Sequence, residues 1–408
     1  MKRKKVYLGY TEVCDKILNS PYCALIENQK EFYTTTKFTE DLVHERYYYN
    51  CLAPSFPGIT WDRYISGIKR MAEGHFVPLM LDLVVTGKCH CNCWHCFRGD
   101  YQDQRELSVK TIERVLSDAQ EMGTAIVGIT GGEPLLRKDI MDILRLIPSS
   151  MEGLLYSTGI HFHEQFVQEL AETRITRCFI SLDHYEREKV NKMRGFSHAY
   201  DYALNALQLL SDANIYTGVT LCATEGIDSV EEFWRYMDFV YSLDCVDEIR
   251  IVLPIPQGNL KGKDFKRFYR DVIRWTREAK KKADQDTDYP NVVLFNEYES
   301  EDYVGCGAGY TYLTVNNDGA ITPCVCVPLS ISNVNEVDLK TAYAEYNKFF
   351  TTTGCTCYGR RTSQFLPKDG GDTIPLPENI SRDIIEKCIV KDGNASYYRN
   401  VENMINKA

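Results

Sequence analysis

The sequence predicts an α/β fold in which a partial, TIM-like (β/α)6 barrel is preceded by an N-terminal extension and followed by a small cysteine-containing domain. Three observations predict it. β-branched runs alternate with helical patterns between residues 81 and 256, the cysteines fall in two separate groups, and 408 residues exceed the usual size of one domain. Six strand–helix units are too few to close an eight-stranded barrel, so we expect an open one.

Six strands are predicted from β-branched and aromatic runs bounded by turn residues. They are LDLVVT from Leu81, AIVGIT from Ala125, GLLYST from Gly153, RCFISL from Arg177, YTGVTLCA from Tyr216 and EIRIVLPI from Glu248. Amphipathic stretches between them predict helices over residues 108–122, 163–172, 198–213 and 229–243. The expected regions are an N-terminal extension (1–80), the barrel (81–260), a helical bridge (261–290) and the cysteine-containing domain (291–408).

Composition and charge exclude several classes of protein. Hydrophobic residues make up 44% and charged residues 25%, as in ordinary globular chains. The net charge of −10 provides no global basic field, which disfavours a nucleic-acid partner. The start MKRKKVYLGY is basic but no apolar segment follows it, and no later run is long enough to span a bilayer. We therefore expect a cytoplasmic protein without a membrane partner.

Sixteen cysteines in a large chain without a secretory signal favour metal-binding thiolates over disulfides. One group follows the first predicted strand and the other lies beyond residue 300. The remaining cysteines are expected to be small buried hydrophobes; these are Cys14, Cys23, Cys51, Cys178, Cys222 and Cys245.

The first group lies in the segment TGKCHCNCWHCFRG, where Cys89, Cys93 and Cys96 have the spacing C-x3-C-x2-C. Iron–sulfur clusters normally take four thiolates, so a loop with three leaves one iron free to bind another molecule. The loop follows the first strand and should lie at the carboxyl edge of the sheet, where ligands bind in α/β folds. The alternative is a zinc site with Cys91 as the fourth ligand, although structural zinc sites usually pair two C-x2-4-C knuckles.

This spacing, after the first strand of a six-unit barrel, resembles the radical S-adenosylmethionine (SAM) superfamily. The resemblance implies a [4Fe–4S] cluster on the three cysteines, with SAM chelated by the open iron through its amino and carboxylate groups. One electron then breaks a C–S bond of SAM and gives a 5′-deoxyadenosyl radical. Two positions depart from the family pattern: His95 stands where an aromatic residue commonly precedes the third cysteine, and Cys91 is an additional thiol.

Further segments match the family in the same order along residues 81–258. Gly131-Gly132-Glu133-Pro134 resembles the GGEP turn that receives the methionyl ammonium of SAM, where glycines permit close approach and a carboxylate can pair with the cation. Arg194 is the expected partner of the SAM carboxylate, with a surface arginine as the alternative. The remaining expected SAM contacts lie at strand ends and in the turn after the sixth strand; they are Ser157, Thr158, Ser181 and Gly258.

The second cysteine group begins with Cys306, Gly319 and Cys324 in the pattern C-x12-G-x4-C, and Asn317-Asp318-Gly319 is a hairpin signal. This resembles the opening of SPASM and twitch modules and implies an auxiliary [4Fe–4S] cluster. A full SPASM continuation is absent, so we expect one cluster. Its expected ligands are Cys306, Cys324, Cys355 and Cys357, with Cys326 as the rival. A structural zinc site is the alternative.

The expected reaction begins with removal of a hydrogen atom from a substrate carbon. Peptide or protein modification is the first hypothesis, because the tyrosine-rich N-terminal extension could hold an extended peptide. A small-molecule oxidoreductase or decarboxylase in cofactor or natural-product synthesis is the second. A non-enzymatic iron–sulfur or zinc scaffold is the third, and it leaves Glu133 and Arg194 unexplained.

Candidates for an acid, a base or a radical relay are Asp183 and Cys326, together with the additional thiol of Cys91. The expected electron donor is a flavodoxin or a ferredoxin. The sequence does not identify the substrate.

Overall fold

The computed structural model describes residues 4–8, 13, 37–101, 105–224, 226–354, 356–367, 374–389 and 393–406. The strands are β1 (Lys4–Leu8), β2 (Lys37–Asp41), β3 (Arg46–Tyr48), β4 (Met80–Val84), β5 (Ile126–Thr130), β6 (Glu152–Ser157), β7 (Ile175–Ser181), β8 (Tyr216–Cys222), β9 (Glu248–Val252), β10 (Asn291–Leu294), β11 (Tyr312–Val315), β12 (Ala320–Thr322) and β13 (Ser332–Asn333). The helices are α1 (Ile59–Ala72), α2 (Val109–Met122), α3 (Ile140–Arg145), α4 (Glu164–Ala171), α5 (Arg187–Arg194), α6 (Ala199–Asp212), α7 (Val230–Ser242), α8 (Lys266–Ala283), α9 (Phe295–Tyr298), α10 (Leu339–Tyr346), α11 (Tyr358–Ser363), α12 (Glu378–Lys387) and α13 (Ser396–Ile405).

The six predicted barrel strands are confirmed as β4 to β9, which pair in parallel in the order of the chain. Helices α2, α4, α6 and α7 fall within the four predicted helical stretches. Their starts follow from local capping: the side chains of Ser108 and Ser229 accept hydrogen bonds from the first turns of α2 and α7. Among the described residues the sheet has two free edges, β10 and β13, so the α/β fold is an open barrel as predicted.

The central sheet is larger than the sequence indicated. β10 pairs in parallel with β9, and β11 pairs in parallel with β4 before the chain returns through β12 and β13. Because β11 and β4 run in the same direction, the hairpin turn after β11 lies at the same edge as the cysteine loop after β4. Cys306, which precedes β11, and Cys324, which follows β12, lie toward the opposite ends of those strands.

The N-terminal segment packs against the amino edge of the barrel. Tyr47, Tyr48 and Tyr49 are only 5%, 1% and 9% exposed. The Ser55 hydroxyl donates to Glu152 Oε1 at 2.5 Å, at the start of β6, and the Asn291 amide donates to the Tyr49 carbonyl at 2.9 Å, at the start of β10. The expectation that the N-terminal tyrosines form a peptide-binding surface is therefore wrong for these three residues, because their rings belong to the core.

Polar side chains from distant strands meet inside the barrel. The Arg250 guanidinium of β9 lies 5.1 Å from the ring centroid of Tyr156 on β6, although the two strands are three positions apart in the sheet. Such a contact requires the concave face of a curved sheet, since three strand spacings on a flat sheet amount to about 14 Å. On the same face, a Cβ atom at Gly128 would lie 1.9 Å from Asp82 Oδ1. We call this concave space the lumen.

Replacing Asp82 with asparagine is expected to change how stability depends on pH. Burial raises the pKa of Asp82 to about 6, whereas an unfolded aspartate titrates near pH 3.9. Between these values the folded chain holds the additional proton, so the free energy of unfolding falls as pH rises, by about 3 kcal/mol in total. In Asp82→Asn this pH-dependent loss of free energy of unfolding should be absent. The variant should therefore have a higher free energy of unfolding than the parent at pH 7.5 but not at pH 4.

Denaturant unfolding at the two pH values measures the effect. Asp228→Asn, which changes an exposed aspartate, serves as the control and should leave the pH dependence as it is. An equal pH dependence in the parent and in Asp82→Asn would contradict the assignment.

In the part of the chain that the structure describes, we find no helix that is both long enough and apolar enough to cross a membrane.

Candidate active site

The first cysteine group forms a loop directly after β4. Cys93 is buried, Cys96 is half-buried and Cys89 is exposed. The Cys91 thiol forms hydrogen bonds with the thiols of both Cys89 and Cys93, which raise the pKa of Cys91 and lower that of Cys93 to about 7. The additional cysteine therefore lies between two of the three predicted ligands.

The backbone of this loop is held by turns from three other elements. The N–H groups of Gly132 and Glu133, after β5, donate to the carbonyls of Thr86 and Lys88, both at 2.8 Å. The Asn92 N–H donates to the Arg194 carbonyl at the end of α5 at 2.9 Å. After β9, the Asn259 N–H donates to the Cys96 carbonyl at 3.0 Å. The loop is thus fixed from three sides.

A glycine stands where each of these turns meets the loop. An added Cβ would lie 2.3 Å from the Lys88 carbonyl oxygen at Gly132, 2.6 Å from the Asn92 oxygen at Gly195 and 2.3 Å from the Cys96 oxygen at Gly258. All three distances are shorter than a carbon–oxygen contact allows, so a larger residue at any of them would displace the loop. The close approach explains why the predicted turns contain glycine at these positions.

Glu133 lies behind the glycine turn and not on its surface. Its side chain is 0% exposed and accepts four hydrogen bonds. Ser157 Oγ and Leu135 N donate to Oε1 at 2.8 and 3.2 Å, and Thr158 N and Oγ1 donate to Oε2 at 2.7 and 2.6 Å. Burial raises the pKa of Glu133, and these hydrogen bonds oppose that effect. The expectation that its carboxylate meets a ligand cation directly is corrected: the carboxylate joins the turn to the end of β6.

The same geometry places Ser157 and Thr158. Both hydroxyls are buried and directed at Glu133, so the predicted ribose contact would require them to leave that carboxylate. Ser181, at the end of β7, is half-buried on the side of the sheet that faces the lumen. Of the predicted strand-end contacts, Ser181 is therefore the one whose position leaves it open to a ligand.

Asp183 and Arg194 form a buried ion pair. Arg194 Nε and Nη2 lie 2.6 and 2.5 Å from Asp183 Oδ2, and Asp183 Oδ1 accepts from the Cys222 N–H at 3.1 Å. Arg194 Nη1 also lies 3.8 Å from Cys93 Sγ. Both carboxylate oxygens of Asp183 are engaged and the side chain is 0% exposed, so its contacts in this structure hold Arg194 beside Cys93, and its acid–base role stays a prediction.

Sequence reasoning missed two residues of the loop's surroundings. His95, noted only as a departure from the family pattern, is buried with Nε2 3.8 Å from Asp183 Oδ2, and burial lowers its pKa to about 4. It is therefore neutral at neutral pH. The Asn259 side chain donates to the Cys93 carbonyl at 2.7 Å. The one sequence signal that could have indicated Asn259 is its position directly after the predicted turn at Gly258.

Arg98 connects the cysteine loop to the β11–β12 hairpin. It is buried, donates to Asn316 Oδ1 at 3.0 Å and to Asn317 Oδ1 at 3.4 Å, and stacks 3.7 Å from the ring centroid of Tyr101. Its charge acts on both Cys96 and Cys326. One guanidinium therefore joins the two cysteine groups.

Arg98→Met is expected to lower the free energy of unfolding by about 2 kcal/mol, because hydrogen bonds from a charged donor contribute about 1.5 to 3 kcal/mol. Arg98→Lys should recover only part, since lysine lacks the planar fork that reaches both asparagines. Denaturant unfolding measures the loss. The matched control is Arg274→Met, which removes an exposed arginine with a surface partner; a similar loss in that variant would contradict the special role of Arg98.

The second cysteine group converges at the start of the hairpin. Cys306, Cys324 and Cys357 interact electrostatically with one another, and burial raises the pKa of each thiol. For Cys324, the hydrogen bond with the Cys326 thiol raises the pKa most, and burial raises it further. Backbone N–H groups already point at the sulfurs: Tyr358 N lies 3.4 Å from Cys306 Sγ, and Cys326 N lies 3.5 Å from Cys324 Sγ. Hydrogen bonds of this kind stabilise thiolates that bind iron. Cys355 lies outside the described residues.

The sulfur atoms of the two cysteine groups can be compared with the geometry of a zinc site. A tetrahedral zinc site with Zn–S distances near 2.3 Å places its sulfurs about 3.8 Å apart. Among the described residues, no three cysteine sulfurs lie within 4.8 Å of one another; the one such group that contains cysteines is Cys89, His90 and Cys91.

Comparison with known proteins agrees with this site. Residues 83–240 match the family described as the Radical SAM superfamily. A probable GTP 3′,8-cyclase from Pyrococcus abyssi is 27% identical over 190 residues, which cover 46% of this chain and 61% of that protein. The chain therefore spans about three fifths of the length of this curated relative.

Two solved structures have the same fold. Streptococcus suis SuiB bound to its precursor peptide SuiA superposes with a TM-score of 0.58 at 19% identity, covering 79% of this chain and 82% of SuiB. anSMEcpe, solved with AdoMet and a Cp18Cys peptide, gives 0.55 at 15% identity, covering 81% of this chain and 99% of that protein.

The open α/β barrel, the three-cysteine loop after its first strand and the family match agree: residues 83–240 form a domain similar to the radical SAM superfamily. Enzymes of this superfamily use a [4Fe–4S] cluster and SAM.

Proposed function

We propose that this radical SAM enzyme modifies a peptide or protein substrate in a net oxidation. The observation that carries the proposal is the sheet itself: the loop of Cys89, Cys93 and Cys96 and the hairpin that leads to Cys324 are attached to the adjoining strands β4 and β11. The two cysteine groups are thus attached to neighbouring strands of one curved sheet, and we take the lumen inside this sheet as the substrate space. A second cluster suits reactions in which the substrate loses electrons overall.

The residues of the loop would hold the groups that react. Cys89, Cys93 and Cys96 would bind the first [4Fe–4S] cluster, which together with SAM would supply the radical chemistry that begins with removal of a hydrogen atom from a substrate carbon. Gly131 and Gly132 let the turn lie close to the backbone of the cysteine loop, and Glu133 fixes that turn. Arg194 holds Asp183 and places a positive charge beside Cys93. The neutral His95 adds no charge to the loop.

The proposed auxiliary ligands are Cys306, Cys324, Cys355 and Cys357, with Cys326 as the rival fourth ligand because its thiol pairs with that of Cys324. Iron analysis of the anaerobically reconstituted protein tests this. We expect about eight iron atoms per chain, and about four in a Cys306→Ala/Cys324→Ala variant. About four iron atoms in the parent chain would refute the auxiliary cluster.

Two considerations support a peptide as the substrate. SuiB, solved with its precursor peptide, and anSMEcpe, solved with a peptide, have the same fold over about four fifths of this chain. The lumen is also lined by aromatic rings next to a guanidinium, with Phe295 4.5 Å and Tyr156 5.1 Å from Arg250, which suits an amphipathic side chain.

The second candidate is oxidation or decarboxylation of a small molecule. The specific observation in its favour is the curated relative from Pyrococcus abyssi, whose name describes action on GTP. The acidic overall charge and the few cations in the lumen argue against a polyphosphate substrate for this chain.

A stimulation assay distinguishes the two. The reconstituted enzyme is incubated with SAM, dithionite and a cell extract divided by ultrafiltration into peptide-sized and small-molecule fractions. We expect the peptide-sized fraction to raise 5′-deoxyadenosine formation above the substrate-free rate and a protease to remove that increase. An increase confined to the small-molecule fraction and resistant to protease would select the second candidate.

A further inference from the structure

Arg250 stands in the lumen, where the Tyr156 hydroxyl is its hydrogen-bond partner and the charge of Asp82 acts on it without a salt bridge. Its guanidinium is surrounded by the rings of Tyr156, Phe179 and Phe295, with centroids at 5.1, 5.9 and 4.5 Å. No carboxylate of the described residues lies within salt-bridge distance of it, and its Nε, although buried, has no hydrogen-bond acceptor among them. The side chain nevertheless keeps some exposed surface, so a ligand in the lumen can reach it.

A second unsatisfied group lies beside it. Thr220 on β8 pairs in register with Arg250 on β9, so the two side chains point to the same face. The Thr220 hydroxyl is buried and also has no hydrogen-bond partner among the described residues. Ser181 on β7 occupies the next position in this register. A buried polar group without a partner destabilises a fold by about 1 to 3 kcal/mol, so two adjacent ones indicate a missing ligand group.

The surroundings define the charge of that group. Two acids act electrostatically on Arg250, and both already accept hydrogen bonds: Asp82 from the Tyr312 hydroxyl and Glu248 from the Tyr216 hydroxyl. Arg177, deeper in the barrel, is fully buried beside Glu152, with Nη2 3.5 Å from Oε2, so it is not available as a second cation. One guanidinium between aromatic walls, with its Nε without an acceptor, matches a single negative charge in a planar group, which is a carboxylate and not a phosphate dianion.

We propose that Arg250 and Thr220 bind a carboxylate of the substrate and thereby orient it in the lumen. The guanidinium would form charge-assisted hydrogen bonds to the carboxylate, and the Thr220 hydroxyl would donate to one of its oxygens. This inference rests on the proposed function, since it assumes that the substrate enters the lumen. The carboxylate belongs either to an acidic side chain or to the end of a peptide.

Binding to the reconstituted, SAM-loaded enzyme tests the site without turnover. The probes are N-acetylglutamate N-methylamide for a side-chain carboxylate, N-acetylglycylalanine for a chain-terminal carboxylate, and N-acetylglutamine N-methylamide as the neutral isostere. We expect one carboxylate probe to bind at least about tenfold more tightly than the neutral one, as a charged hydrogen-bonded pair warrants. The probe that does so identifies the source of the carboxylate.

Arg250→Met should abolish the preference for the charged probe, and Arg250→Lys should keep part of it. Thr220→Val, which hardly changes the side-chain volume, should weaken binding of the charged probe by a few fold. This variant provides the test if Arg250→Met fails to fold. The matched control is the exposed Arg274→Met, which should bind like the parent.

Four results would each overturn the proposal. They are equal affinity for charged and neutral probes, no binding of either probe, tighter binding of inorganic phosphate than of the carboxylates, and a preference for the charged probe that persists in Arg250→Met. Because only binding is measured, a failure here is distinct from a failure of the peptide assay. Carboxylate binding together with stimulation by the small-molecule fraction alone would keep this site and reject the peptide substrate.

Discussion

Glu133→Ala is expected to reduce 5′-deoxyadenosine formation by about a hundredfold or more, the loss that follows when a binding turn moves by about 1 Å. The carboxylate accepts all four hydrogen bonds that join the glycine turn to Leu135 and to the end of β6. Without it these donors have no acceptor in a fully buried position, which should also lower the free energy of unfolding by about 3 kcal/mol or more.

Glu133→Gln separates the two effects. Its amide keeps the volume and one acceptor oxygen but turns a donor toward the N–H and hydroxyl groups of Thr158, so we expect intermediate activity. 5′-Deoxyadenosine is quantified by chromatography after incubation with SAM and dithionite, and bound iron is measured in each variant to normalise the rates. Full activity of Glu133→Ala at normal iron content would contradict the role assigned to this carboxylate.

Arg194→Met is expected to lower the free energy of unfolding by about 3 to 5 kcal/mol, because it leaves the Asp183 carboxylate buried without its cation. It also removes the charge that lies 3.8 Å from Cys93 Sγ. We therefore expect impaired cluster loading in addition to the loss of stability, measured as iron per chain after reconstitution.

The same helix contains the matched control. Arg187 of α5 forms an exposed ion pair with Asp201, and such pairs contribute about 0 to 1 kcal/mol. Arg187→Met should therefore be nearly neutral. The double variant Asp183→Asn/Arg194→Met should be more stable than Arg194→Met alone, since no uncompensated charge remains. Equal losses in Arg187→Met and Arg194→Met would contradict the buried-pair account.

The sequence predicted the central barrel because its strands and helices are encoded locally. Each of β4 to β9 is a short β-branched run, and α2 and α7 start at serine caps, so neighbouring residues are sufficient to define them. The cysteine loop could be predicted for the same reason, since its three candidate ligands lie within eight residues of each other.

Contacts between distant segments could not be predicted in this way. Nothing near β11 indicates that it pairs with β4, more than two hundred residues earlier, or that Arg98 reaches the hairpin. Glu133, Asp183 and Arg194 lie beside the cysteine loop, as the strand ends and turns indicated, but their hydrogen-bond and ion-pair partners are set by the tertiary fold. The prediction that the tyrosines of the N-terminal segment form a binding surface was wrong, because aromatic residues occur both at binding surfaces and in cores.

The central claim is that Cys89, Cys93 and Cys96 hold the cluster that cleaves SAM. The most direct test is anaerobic reconstitution of the full chain and of the Cys89→Ala/Cys93→Ala/Cys96→Ala variant, followed by incubation with SAM and dithionite and measurement of 5′-deoxyadenosine. We predict formation by the parent chain and none by the variant, with about four fewer iron atoms bound. Equal formation by both proteins, or none by a parent chain that is fully loaded with iron and supplied with its stimulating fraction, would contradict the account.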